Sequence, residues 1–187
     1  MPVWLAPLHL SILPPPTKLE ANEFSFVENS GNTNPYKTIT STNSSELENL
    51  WVTGSGAGSK ATGYWVDSDG QEATFTNLGN IYVTAVDGAN SWSQRAIGAA
   101  DGATAINKGT IVVQNAYGMT VGSDKNGSTP AKIINEGSIA VYDTGAAMEL
   151  GGVKGSTAEN KGQIYVSKPS TNKEAFTIGV LVKDHEE

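Results

Sequence analysis

The sequence predicts an all-β fold, a right-handed single-stranded parallel β-helix, or β-solenoid, of about four to five coils of 25–30 residues. Three observations carry that prediction. The pattern Asn-x-Gly-x-Ile-x-Val recurs four times in the second half of the chain. Residues around each copy alternate apolar and polar with a period of two, as a strand requires. No stretch sustains the 3.6-residue apolar period of a helix, and β-branched residues and glycine dominate instead.

Composition sets bounds that this fold satisfies. The 187 residues are 38% apolar and 17% charged, as in a folded soluble chain. A chain of this length buries roughly 70% of its unfolded surface and needs no disulfides. It contains no cysteine, which removes disulfide frameworks, thiolate zinc sites and cysteine nucleophiles together. The net charge is −7, from 12 basic and 19 acidic residues, and no Lys/Arg cluster exists. Nucleic acid and anionic bilayers are therefore not expected partners, since both demand a concentrated positive face. The only histidines, His9 and His185, lie near the two ends of the chain, so neither a Ser/His/Asp triad nor a histidine metal site is expected. No metal and no cofactor is implied.

Taken in order, residues 1–16 form an apolar, proline-rich segment whose composition allows disorder. Pro2, Pro7 and the run Pro14-Pro15-Pro16 break its apolar stretch, and no basic residue precedes Lys18. It makes a poor secretory leader, and it is too short and too proline-rich to cross a bilayer. Residues 17–45, rich in Asn, Ser and Thr, read as an N-terminal cap with strands near 23–27 and 36–40, because a solenoid must cover its first unpaired edge. Residues 46–187 carry the coils. The first of these is degenerate: Leu50 and Val52 fit the Ile and Val positions and Gly63-Tyr64-Trp65-Val66 a middle strand, but Glu46 and Glu48 stand in the Asn and Gly slots. A carboxylate there marks an end coil.

The four full copies are Asn77-x-Gly79-x-Ile81-x-Val83, Asn107-x-Gly109-x-Ile111-x-Val113, Asn135-x-Gly137-x-Ile139-x-Val141 and Asn160-x-Gly162-x-Ile164-x-Val166. Their Asn residues are 30, 28 and 25 residues apart. Preceding each Asn, at the strand period, come Phe75, Ala105, Ile133 and Ala158. Middle strands follow near Arg95–Gly98, Ala116–Met119, Ala146–Met148 and Ala175–Ile178. Stacked at about 4.8 Å per coil, the Ile and Val residues form two inward columns. The Asn side chains form a ladder in which each amide donates to the next, which satisfies a buried polar row collectively. The glycines are expected to supply a left-handed or tightly bent backbone beside it. The strand at 175–183 leaves an open edge, so the coils are expected to be truncated there or completed by another molecule.

Over about residues 73–182, this repeat resembles the passenger region of bacterial autotransporters and related large surface adhesins. The resemblance implies export to the bacterial cell surface or beyond, display from the outer membrane, and a role in virulence through adhesive, self-associating or enzymatic loops. It transfers no functional residue, because the motif is a structural unit. The implied reading is a non-enzymatic scaffold or adhesin module whose partner is a host-surface glycan or protein, or another copy of itself. Contacts would be set by the outer face and by loops such as Thr84–Gln94 and Gly122–Thr129. Two alternatives remain open: a β-helical carbohydrate-active enzyme of the polysaccharide lyase or glycoside hydrolase kind, and a self-associating structural element.

Candidate chemistry is sparse. Trp51, Tyr64, Trp65 and Trp92 are the candidate binding residues, because outward rings on a solenoid face can stack sugars; burial in the core or a cap is their competing role. The carboxylates Asp67, Asp69, Asp87, Asp101, Asp124 and Asp143 could in principle serve acid/base catalysis, but Asp-Gly pairs and recurring corner positions read as turns. Asp67-Ser-Asp69-Gly70 begins like a calcium loop and lacks the later ligands.

Overall fold

The structure is a computed structural model that describes residues 25–29, 36–40, 43–54, 61–68, 71–85, 94–122, 129–167 and 176–183. Every regular element among them is a strand. The first rung is β1 (Ser25–Asn29), β2 (Lys37–Ile39) and β3 (Asn43–Glu46); the second is β4 (Leu50–Gly54), β5 (Thr62–Asp67) and β6 (Ala73–Asn77). The third is β7 (Asn80–Ala85), β8 (Arg95–Ala100) and β9 (Ala103–Asn107); the fourth is β10 (Thr110–Gln114), β11 (Tyr117–Val121) and β12 (Lys132–Asn135). The fifth is β13 (Ser138–Tyr142), β14 (Gly145–Leu150) and β15 (Thr157–Asn160), and β16 (Gln163–Val166) and β17 (Thr177–Val182) open a sixth.

Each strand pairs in parallel with its equivalent one rung away, never with its neighbour in sequence. Sheet A is β1-β4-β7-β10-β13-β16, sheet B is β2-β5-β8-β11-β14-β17 and sheet C is β3-β6-β9-β12-β15. The chain is thus a parallel β-solenoid with three sheets around one core. Parallel strands need a long crossover, and here the crossover is the remainder of the rung. The residues read from sequence as a cap supply β1, β2 and β3, which pair in the same register system: Glu46 opposes Asn77, and Leu50 and Val52 oppose Ile81 and Val83.

The core is the set of inward columns. Leu50, Ile81, Ile111 and Ile139 stack in one, and Val52, Val83, Val113 and Val141 in the next, all essentially inaccessible. Sheet C contributes Phe75, Ala105 and Ile133. Sheet B contributes Tyr64, Ile97, Met119 and Met148. Tyr64 packs against Phe75 with ring centroids 4.7 Å apart. Its hydroxyl is buried without a hydrogen-bond partner; burial first, and then the Glu48 and Glu46 carboxylates, push its pKa well above that of a free tyrosine. Tyr64 is therefore a core residue and not an outward binding ring. Its position in the inward column, two residues before Val66, decides this.

The Asn ladder runs with a fixed polarity. Nδ2 of Asn77 donates to Oδ1 of Asn107 at 2.8 Å, Asn107 to Asn135 at 2.9 Å, and Asn135 to Asn160 at 2.8 Å. The second amide hydrogen reaches the Gly carbonyl two residues on, or a carbonyl of the next rung, as Asn107 does with Gly109 and Ser138. Glu46 has no proton to offer Asn77; it turns outward and pairs with Lys37.

Of the two backbones expected at the four motif glycines, left-handed or tightly bent, the structure has the bend, and none of the four is left-handed. Positive φ falls instead at Gly102, Gly145, Gly152 and Gly155, and at the corner residues Asp101, Asn115 and Asp143. What excludes a side chain at Gly79, Gly109, Gly137 and Gly162 is the neighbouring rung. A Cβ on Gly109 would lie 1.9 Å from the Gly79 carbonyl oxygen, and one on Gly137 2.1 Å from that of Gly109. Gly162 repeats this against Gly137, and Gly79 against the Glu48 carbonyl. The ladder corners stack so closely that only glycine fits.

Candidate functional site

The connections between sheets locate the variable part of the molecule. Corners from sheet C to sheet A span only residues 47–49, 78–79, 108–109, 136–137 and 161–162. Connections from sheet A to sheet B range from the short 115–116 and 143–144 to the long 55–61, 86–94 and 167–176. Those leaving sheet B are equally uneven: 68–72, 101–102, 122–131 and 151–156. Both sets join sheet B to its neighbours, so sheet B is the sheet entered and left by connections whose length the fold does not dictate.

The outer face of that sheet is built from one outward column, in which Trp65, Gly98, Thr120, Glu149 and Leu181 are in register. The Trp65 ring lies flat across the next rung, where a Cβ on Gly98 would stand 2.4 Å from it. Its Nε1 faces an Asp67 carboxylate oxygen at 3.4 Å. The Arg95 guanidinium sits 5.4 Å from the ring centroid, and Nη1 of Arg95 donates to Oγ1 of Thr120 at 3.0 Å. Further along, Lys183 Nζ pairs with Glu149 Oε1 at 2.6 Å and stands 5.9 Å from the Tyr117 ring. Glu149 is the more enclosed partner of that pair, with 12% of its side chain exposed against 35% for Lys183. The strip offers an aromatic edge, a cation and a close-set ion pair. That is chemistry for hydrogen-bonded recognition of a polar partner.

The aromatic residues singled out from sequence do not form one site. Trp65 lies on the outer face of sheet B, half-buried, while Trp51 lies on the outer face of sheet A with its Nε1 3.2 Å from Thr84 Oγ1. Tyr64 is in the core. Trp92 lies outside the described residues, as do Asp69, Asp87, Asp124, His9 and His185. The ladder residues Asn77, Asn107 and Asn135 are buried, and Asn160 is exposed at the last rung.

The remaining candidate carboxylates hold corners. Asp101 and Asp143 have φ of 43° and 62°; Asp101 accepts from the Thr129 amide at 3.2 Å, and Asp143 from the Gln114 side chain at 2.6 Å. Short polar side chains tolerate this left-handed backbone, which is why Asn or Asp recurs there. Among the described residues, no three His, Cys, Asp or Glu side chains gather as a metal site. Arg95, Thr120, Glu149 and Lys183 escaped the sequence reading. Counting outward positions in register with Trp65 through the middle strands would have found Thr120 and Glu149, whereas Arg95 is in register with Thr62 and Tyr117.

A family model for the BigA third pectate lyase-like domain matches residues 21–186. No curated protein and no solved structure matches the chain. The matched span covers nearly the whole chain and every strand of the solenoid, so this chain belongs to the family of BigA third pectate lyase-like domains.

Proposed function

We propose that this domain is a non-enzymatic recognition module of a surface-displayed bacterial protein, with the outer face of sheet B and the connections that enter and leave that sheet as the contact surface. The observation that carries this reading is the confinement of variable connection lengths to the two borders of sheet B, while the opposite corner keeps to two or three residues at every rung. A rigid scaffold holding uneven connections around one polar strip is the arrangement of a binding surface. The carboxylates on this side have structural partners: Glu149 has Lys183, Asp67 has Trp65, and Asp101 holds a corner. Pectate lyase-like names a likeness of fold, and fold alone assigns no chemistry. Display at the surface is supported by the BigA assignment together with the adhesin-type repeat.

The test is binding of the purified domain to intact host cells, with the 86–93 and 123–128 connections each shortened to two residues. Loss of binding at an unchanged melting temperature is expected. Full retention by both variants would sink the sheet B reading. Release of unsaturated or reducing ends from polygalacturonate by the unmodified domain would instead move the assignment to an enzyme.

A further inference from the structure

Strands β15, β16 and β17 pair on one side only, with β12, β13 and β14, and are the last strands of sheets C, A and B among the described residues. Their inward columns stand open. Val166 and Val180 are each 48% exposed and Val182 66%, whereas Val141 and Met148, one rung earlier in these columns, are buried. Edge strands of a parallel sheet also direct half of their N–H and C=O groups away from it.

This end dictates what can sit on it. Each ladder amide donates toward the following rung, and Oδ1 of Asn160 already accepts from Asn135, so Asn160 turns an N–H outward that calls for an acceptor. Within the chain its Nδ2 meets the Gly162 carbonyl at 3.3 Å. The main chain repeats in the same direction. The Asn107 carbonyl accepts from the amides of Glu136 and Gly137, and the Asn135 carbonyl from those of Lys161 and Gly162, at 2.7–2.9 Å. The Asn160 carbonyl is next in that series. Two residues after the incoming acceptor, only glycine fits: a Cβ on Gly162 would lie 2.0 Å from the Gly137 carbonyl oxygen, and the Gly162 oxygen sets the same obstacle for the next rung. Opposite Ile164 and Val166, apolar side chains complete the core columns, and a polar group there would be buried without a partner.

We propose that this end of the solenoid is a docking edge for an extended segment of a second polypeptide that carries the pattern Asn-x-Gly-x-Ile-x-Val and adds as a further parallel rung. Main-chain hydrogen bonds supply the affinity; the ladder acceptor, the glycine and the two apolar columns supply the selectivity. The same criteria reject a second folded copy stacked head to tail. Its first rung would bring Glu48 to the Gly place and Ser25 to the Ile place, and its Ile39 is already covered. The edge is distinct from the outer face of sheet B, and its occupancy does not depend on that surface.

The experiment titrates the full chain into a fluorescently labelled synthetic peptide of residues 131–150, whose three strands are joined by two-residue connections. The peptide carries Asn135, Gly137, Ile139 and Val141 at the required spacing. Saturable binding is expected, with hydrogen-exchange protection gained in β15, β16 and β17. Asn135→Ala and Gly137→Val, made in the peptide and so without effect on the folding of the chain, should each weaken binding about tenfold or more. Val182→Lys in the chain, at an exposed residue, should weaken it as much at an unchanged melting temperature. Absence of saturable binding, equal affinity for all three peptides, or protection gained away from these strands would overturn the docking edge. Concentration-dependent dimerisation of the chain alone, abolished by Val182→Lys, would give the end to a second copy and also overturn it.

Discussion

At the scale of single residues, the Asn ladder is decided by hydrogen-bond direction. Asn107 accepts from Asn77, donates to Asn135 and reaches two carbonyls, all out of water. Replacing it with Ala removes these bonds and strands the amide of Asn77 and the oxygen of Asn135, so Asn107→Ala should cost about 1–3 kcal/mol in denaturant unfolding, and Asn135→Ala about the same. Asn160→Ala should cost clearly less, because that residue is exposed and ends the ladder. Equal losses at all three positions would mean the row is hydrated along its length. The same direction explains Glu46. The ladder begins at Asn77 because position 46, in register with it, holds a group that only accepts. Glu46→Asn supplies the missing donor and gives up only an exposed pair with Lys37, so it should raise stability by about 0.5–1.5 kcal/mol. A lowered stability would show that the Lys37 pair matters more than one further rung of the ladder.

At the scale of the rung, the sequence showed some parts and hid others for physical reasons. Sheets A and C were legible because the two-residue corner between them fixes the spacing from Asn to Gly, Ile and Val at every repeat. Any inward column then shows as a recurring letter. Sheet B lies between connections of unequal length, so its register is set across rungs and not along the chain. The residues facing outward from it, Arg95, Thr120 and Glu149, carry no local signature. The strand Asn43–Glu46 was hidden for another reason. It has no apolar residue, and its inward place in register with Phe75 is taken by Ser44. The motif glycines were legible only as left-handed or bent, because a left-handed backbone, a tight bend and a close approach all call for glycine, and only the stacked carbonyls tell them apart. Gly98 makes the same point outside the motif. Gly98→Ala would drive a methyl group into the Trp65 ring and lift it off the sheet. Its tryptophan emission should shift to the red and stability should fall by about 1–3 kcal/mol. An unchanged spectrum would mean the ring has room that the structure does not show.

At the scale of the whole molecule, strand pairing joins each rung only to the rungs on either side, so stability is mainly a sum of nearest-neighbour terms and the two ends need not be equivalent. The inward columns show that they are not. Ile39, in the first rung of sheet B, is 4% exposed, while Val182 at the other end of the same column is 66% exposed. In sheet A, Val52, Val83, Val113 and Val141 are buried, and Val166, next in the same column, is 48% exposed. The ladder behaves likewise, since its last amide has no further oxygen of the row to meet. Burial and hydrogen bonding therefore weaken together toward β16 and β17, and local opening should begin there. Native-state hydrogen exchange should find the slowest amides in β7, β8, β10 and β11, with a graded loss of protection through β13 and β14 to β16 and β17. Mild denaturant should release the last rung before the rest, at a free energy below that of global unfolding. Uniform protection lost in one step would mean that the rungs are coupled more strongly than their pairwise contacts supply, and the nearest-neighbour description would fail for this domain.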